Sequence, residues 1–416
     1  MKTLMLVLQL SLVAAAQQQV AIHAGRLLDV QTGNIRNGVY IVVQGDRISA
    51  IAMSAPAGVK VIDLSRQTVL PGLCDCHAHV LGDPKDWSPG NGLRMSSAQK
   101  AIWGVRNLQE WIDRGFTMLR DPGEDDIGYA QVALRNSVDL GMIKGPRMQV
   151  AGTFVSVTGG HGDADVLAPD QELPRRQNLA DTVAEVSRAV RRDLKYGADW
   201  IKLMATGGVM DPMSDFNVQE LSDEQIVEAV RVAHRAGKKV LAHAHGTSGI
   251  RAAVEAGVDS IEHGSLLDDE TAQLMVKKGI WLVPTLYAGE EAEETGASKG
   301  MTPAMLEKNR QVLKLQHTAF ETAIRRGVRI VYGVDAEPEV ALKEFEAMVR
   351  WGLKPLQAIQ AATTNAAAML GIQSGTIEPG KFADIIAVDG DPLQDIRRME
   401  QVRFVMKGGE ILKDLK

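Results

Sequence analysis

Short apolar runs and helical periodicities alternate along most of this chain. Runs at residues 73–80, 117–119, 148–151, 200–203, 240–244, 260–261, 281–286 and 329–332 predict eight buried strands. Between most of them, apolar positions recur with helical spacing. Ser222 and Gln225 form a capping-box pattern ahead of Ile226, Val230 and Ala233, and Gly237 stops that helix. Thr302 and Pro303 open another, which Gly327 closes. The two flanks read differently. Residues 20–22, 39–43 and 48–51 near the start are strand-like with glycine turns between them, as are 385–388, 402–406 and 410–412 near the end.

Eight βα units in about 300 residues predict an α/β fold, a (β/α)8 TIM barrel. A doubly wound open sheet has no support, because no glycine-rich dinucleotide fingerprint is present. Neither flank is long enough for a domain of its own. The two ends are therefore expected to pair into one small β-sandwich domain. The expected division is 1–17 for a leader, 18–68 and 373–416 for the two halves of the β domain, and 69–372 for the barrel. Lys2, the apolar run 4–16 and the small residues Ala14, Ala15 and Ala16 read as a secretory signal. The run is too short to span a bilayer. An exported protein, periplasmic or secreted, with no membrane association in its mature form is expected.

Composition narrows the function classes. Of 416 residues, 45% are hydrophobic and 24% charged, which excludes a disordered or fibrous chain. The net charge of −6 and the 4% of aromatic residues argue against a nucleic-acid partner. Two cysteines exclude a disulfide scaffold and a cysteine-only zinc site. Cys74 and Cys76 are expected to be free and buried, since their spacing suits bridging poorly.

The nine histidines change the picture. At that frequency, chance gives about 0.2 His-x-His pairs in the chain. Two occur, His77-Ala78-His79 and His243-Ala244-His245. In a strand, residues i and i+2 face the same way. Both pairs fall near strand C-termini, the active-site face of a barrel. Lys202, His263 and Asp335 end three further strands. Taken singly, Lys202 reads as a salt-bridged lysine and Asp335 as a helix N-cap. Taken together, histidines and a carboxylate converging at one barrel end read as a metal cluster. A neutral lysine amine there could carry carbon dioxide as a carbamate, which turns a cation into a bridging anion.

These residues carry a resemblance. The run 69–79 resembles the first-strand signature of the amidohydrolase superfamily. Residues 201–203 with 206–208 resemble its lysine strand, and 243–246, 261–264 and 333–335 resemble its fifth, sixth and eighth strands. Residues 375–384 are similar to its returning β domain. The prolidase-like branch of binuclear dipeptidases and carboxypeptidases, which includes ochratoxin-hydrolysing amidases, is the most similar, and residues 158–162 match its motif after the third strand.

The resemblance implies two divalent metal ions, zinc above others. His77, His79 and Asp335 would bind the buried ion, and His243 and His263 the exposed one. Lys202, carboxylated, would bridge them together with a hydroxide that attacks an amide carbonyl. Asp335 would shuttle the proton to the leaving amine. His245 stands where some relatives carry Tyr and would stabilise the oxyanion. His161 would bind the substrate's α-carboxylate or its carbonyl. The implied substrate is an N-acyl amino acid or dipeptide with a free C-terminal carboxylate. Its C-terminal residue would be proline or hydrophobic, and ochratoxin-like amides fit. A large homo-oligomer such as an octamer is also implied. Two other readings stand beside this one: a cyclic-amide hydrolase of the imidazolonepropionase or hydantoinase kind, and a non-catalytic metal-binding barrel.

Fewer roles fall to the remaining polar residues. Asp75 is expected to pair with a cation inside the barrel, with Arg120 the candidate. The acidic run 290–294 reads as a solvated loop or lid, and His23, His234 and His317 as structural or surface groups.

Overall fold

The glycine-punctuated start of the chain forms β1 (Gln19–Leu28), β2 (Ile35–Gln44), β3 (Arg47–Ala52) and β4 (Lys60–Pro71). This computed structural model describes residues 19–415 except 169, 172 and 173, so the expected leader lies outside the described residues. The barrel strands follow: β5 (Leu73–Asp75), β6 (Phe116–Asp121), β7 (Arg147–Val155), β8 (Trp200–Met204), β9 (Lys239–Ala244), β10 (Ser260–His263), β11 (Trp281–Val283) and β12 (Arg329–Ile330). β13 (Ile385–Val388), β14 (Val402–Lys407) and β15 (Glu410–Asp414) complete the chain.

The two chain ends share one sheet. Its order is β15-β14-β13-β4-β1-β2-β3, with β13 antiparallel to β4 through Ile385 opposite Pro71. The expected sandwich is therefore corrected to a single sheet that folds back on itself. Ile48 N–H donates to Lys381 O at 3.0 Å, and Gly380 N–H to Ile48 O at 2.8 Å. The long strand β4 serves both halves, so strand twist coils one sheet around its own core rather than splitting it in two. Ile22, Ile41, Ile48, Phe404 and Met406 fill that core.

Strands β5 to β12 form an eight-stranded parallel sheet in sequence order. Its two edges meet: Cys76 N–H donates to Tyr332 O at 2.9 Å, and Asp335 N–H to His77 O at 3.0 Å. This is consistent with the expected (β/α)8 barrel. Several strands are shorter than the apolar runs predict, because their last residues leave the ladder to carry polar groups. At the strand ends, His263, the last residue of β10, and Thr285 and Asp335, which lie beyond their strands, have φ of 68°, 48° and 54°. A left-handed backbone at a non-glycine residue costs about 1–3 kcal/mol, and such strain collects at functional sites.

Packing follows the pattern. Cys74, Cys76, Met118, Trp200, Leu241 and Val331 pack together inside the barrel. Both thiols are free and buried, with sulfurs 3.7 Å apart. Ser222 and Thr302 cap their helices as predicted, and Gly327 ends the second one at φ 77°. Among the described residues, no helix is long and apolar enough to cross a membrane. His23 stacks on Tyr40, His234 bonds Asp259, and His317 is half exposed beside Glu321.

Candidate active site

The C-terminal ends of the barrel strands bring the singled-out residues together. His77 Nε2 and His79 Nε2 each lie 3.5 Å from Asp335 Oδ1. His263 Nδ1 is 3.9 Å from Asp335 Oδ2. The His243 ring centre is 4.7 Å from those of His245 and His263, and 4.4 Å from that of His161. Donor atoms of His77, His263 and Asp335 lie within 4.8 Å of one another, as do those of His243, His245 and His263. His79 falls outside both triplets and meets them through Asp335. Lys202 lines the same cavity, buried at 2% exposure.

Burial sets the charge state of this cluster. It pushes His77, His243 and His263 well below the usual histidine range, helped by neighbouring positive groups, and takes His245 down to about 3. Burial opposes the charged form of His79 too, but the carboxylates of Glu124 and Asp335 outweigh it and raise that ring. Burial brings Lys202 down to about 8 against the pull of Glu262 and Asp335. Neutral imidazoles offer lone pairs, and a lysine drawn down this far carries a minor neutral-amine fraction at pH 7. The donor set thus fits divalent metal ions: nitrogen and carboxylate donors within reach of each other in a buried cavity.

A surrounding layer orients these rings. His77 Nδ1 is 2.8 Å from Glu262 Oε2, which also accepts from Arg120 Nη2 at 2.5 Å. Ser260 Oγ donates to Glu262 Oε1 at 2.6 Å, and Arg120 Nε to Cys76 O at 2.6 Å. Arg120 therefore pairs with Glu262, which corrects the expected partner, Asp75. Register gives the reason. Cys74 pairs with Met118 and Asp75 with Leu119. Met118 faces the barrel interior, as does Arg120 two residues on, so Asp75 faces the other way. Asp75 Oδ1 accepts from His77 N–H at 2.8 Å and Val334 N–H at 3.3 Å, and burial lifts the group to about 7.

Other rings are held from the loops. His245 Nδ1 is 2.8 Å from Ser265 Oγ, and His161 Nδ1 is 2.6 Å from Asp211 Oδ2. Burial works against the Asp211 carboxylate, but His161 and Ser214 hold it well below its usual range. Glu124 accepts from Val80 N–H and Leu81 N–H at 2.7 and 2.9 Å and stands 3.7 Å from His79 Nδ1. The sequence reading missed Glu124, Asp211, Ser265 and Thr285, which lie outside any periodic pattern. Glu262 carried a signal, being a carboxylate inside an apolar strand next to His263.

Thr285 Oγ1 is 2.8 Å from His263 Nδ1. Thr285→Val keeps the β-branched shape at this strained position and removes the bond. Metal affinity is expected to fall about 10–100-fold with the melting temperature little changed, as read by chelator competition.

The cluster forms the floor of a cavity of about 480 Å³. Leu81, Trp87, Phe154, Met204, Met210 and Val312 are among its walls. The run 290–294, expected as a solvated loop or lid, is helical rather than a loop. It belongs to the helix Leu286–Thr295, whose residues Ala288, Gly289 and Ala292 form one wall. Glu291 is buried at 3% exposure and bound by Lys299 at 2.9 Å. A helix here buries one acid of the run, which acidic composition alone does not reveal.

The family model described as "Amidohydrolase family" matches residues 68–412. The chain belongs to the amidohydrolase family. Ochratoxinase of Aspergillus niger is 33% identical over 94% of this chain and 86% of its own length. A crystal structure of a Xaa-Pro dipeptidase with bound methionine in its active site superposes with a TM-score of 0.88 at 34% identity, covering 95% of this chain and 99% of that one. A prolidase complexed with N-methylphosphonate-L-proline superposes with a TM-score of 0.88 at 31% identity, covering 95% and 100%. This amidohydrolase therefore sits in the prolidase-like and ochratoxinase branch and is a metal-dependent hydrolase of amide bonds. The reading as a non-catalytic barrel falls with that.

Proposed function

We propose that this amidohydrolase cleaves the amide bond of an N-acyl amino acid or dipeptide that carries a free C-terminal carboxylate. The observation that carries this is the single cavity in which His77, His79, Lys202, His243, His263 and Asp335 all converge. His77, His79 and Asp335 would hold one zinc ion and His243 with His263 a second, with Lys202 as a carbamate between them. Such a pair, when bound, activates water and polarises the scissile carbonyl.

The chain's own residues do the rest. Asp335 accepts the proton of the attacking water and passes it to the leaving nitrogen, which departs as a neutral amine. With Ser265 Oγ donating to Nδ1, neutral His245 would carry its ring proton on Nε2 and would donate it in a hydrogen bond to the developing oxyanion. His161, oriented by Asp211, binds the carboxylate or the carbonyl beside the scissile bond.

A hydrophobic or proline C-terminal residue fits the apolar walls. Three acids of the cavity are matched by cations, Asp125 by Arg176, Glu337 by Lys299 at 3.0 Å, and Asp86 by Arg94 at 3.0 Å, while Asp83 accepts from Lys85 N–H at 3.0 Å. Amides of the ochratoxin kind fall within this class. Export and assembly into a homo-oligomer belong to the same proposal and rest on sequence alone.

A panel of N-acyl amino acids and dipeptides assayed with added zinc tests the substrate class. Chelation is expected to abolish hydrolysis and zinc to restore it, with about two metal ions per chain in fully active enzyme. Full activity with fewer than about one ion per chain would sink the binuclear reading.

A further inference from the structure

Beside the catalytic cavity lies a second chamber of about 200 Å³. The two share Trp87, Asn91, Asp125, Phe154, His161 and Met210, so they meet along one rim. Pro89, Gly90, Gly162, Ala164, Val166 and Pro212 form the far walls.

The rim is built, not incidental. The Trp87 backbone N–H donates to Lys299 O at 2.6 Å, and Lys299 Nζ sits 4.1 Å from the Trp87 ring centre. The same ammonium bonds Glu291 and Glu337, so the indole is tied to a cavity wall. On the other side, a Cβ on Gly208 would fall 2.3 Å from the His161 ring, and one on Gly162 would fall 3.0 Å from Phe154 Cβ. Glycine at both positions lets these rings stand where the two spaces join.

Charge decides what enters. Among the described residues, no lysine or arginine lines the chamber, and three aspartates do. Asp125 is bound by Arg176 and Asp211 by His161, while Asp163 accepts from Gly159 N–H and Asp165 N–H. A substrate carboxylate would meet these groups with no facing cation. The main cavity differs in the imidazoles of His77, His79, His243, His245 and His263, which line it and not the chamber, so the carboxylate half falls there.

We propose that the chamber is the acyl-side subsite. It takes the uncharged acyl group of an N-acyl amino acid, or the N-terminal side chain of a dipeptide, and favours a flat aromatic group lying against Trp87. This rests on the amide reading above and adds which half of the substrate goes where.

Ala164 and Val166 line the chamber alone, away from the catalytic cavity. Ala164→Trp fills it, and Val166→Trp is the second variant should the first not fold. N-(2-naphthoyl)-L-phenylalanine and N-acetyl-L-phenylalanine are compared in the zinc-loaded enzyme. The expected result is a rise in KM of about tenfold or more for the naphthoyl substrate, with kcat held and the acetyl substrate within about twofold. An unchanged ratio between the two substrates in either folded variant, or an equal loss on both, overturns the subsite. If the unaltered enzyme cleaves neither substrate nor any other amide of the panel, the amide reading itself has failed, and the subsite with it.

Discussion

Replacing Lys202 with methionine is expected to lower kcat/KM by about 10³-fold, about 4 kcal/mol of transition-state stabilisation. The buried side chain lines one cavity with His77, His79, His243, His263 and Asp335, and among the described residues no other lysine or arginine lines it. Burial already disfavours its charged form, drawing it down to about 8. Methionine suits that environment in length and polarity, so the fold should hold or gain stability. Steady-state kinetics beside a thermal melt separate the two effects. A variant that melts normally and keeps full activity would remove Lys202 from the chemistry.

Glu262→Ala should unfold the protein far more easily, by about 3–5 kcal/mol. Arg120 and Glu262 are both fully buried and bond each other, and among the described residues Arg120 has no second carboxylate in contact. Removing one leaves the other's charge in the barrel interior. Denaturant midpoints measure the loss. The double change Arg120→Met with Glu262→Met should recover much of it, because an apolar pair of similar volume avoids the stranded charge. A single-variant loss below about 1 kcal/mol would mean that the guanidinium finds other relief. Since Glu262 also holds His77 Nδ1, metal affinity should fall with it.

Much of the fold was legible because burial writes itself into periodicity. The eight apolar runs became the eight barrel strands, and the glycine-punctuated flanks became one shared sheet. The metal-type residues were legible for another reason: His-x-His at a strand end is rare and places both rings on one face. What stayed hidden depends on neighbours far apart in sequence. Asp75 was the carboxylate matched to Arg120 from sequence, and the register of β5 against β6 turns it away and leaves Glu262 as the partner. Asp211, Glu124 and Thr285 act through loops, where spacing carries no direction. The helix carrying residues 290–294 hides one acid against Lys299, which composition does not reveal.

The shared terminal sheet has a consequence for synthesis on the ribosome. Strand β4 leads through Gly72 into the first barrel strand, yet its antiparallel neighbour β13 begins at Ile385. Until the last few dozen residues emerge, β4 keeps an open edge beside the segment that carries His77 and His79. Such distant pairing makes folding slow and leaves a strand edge open to other nascent chains. A chain cut short before β13 should therefore aggregate rather than yield a working barrel, although every metal-type residue singled out here precedes the cut.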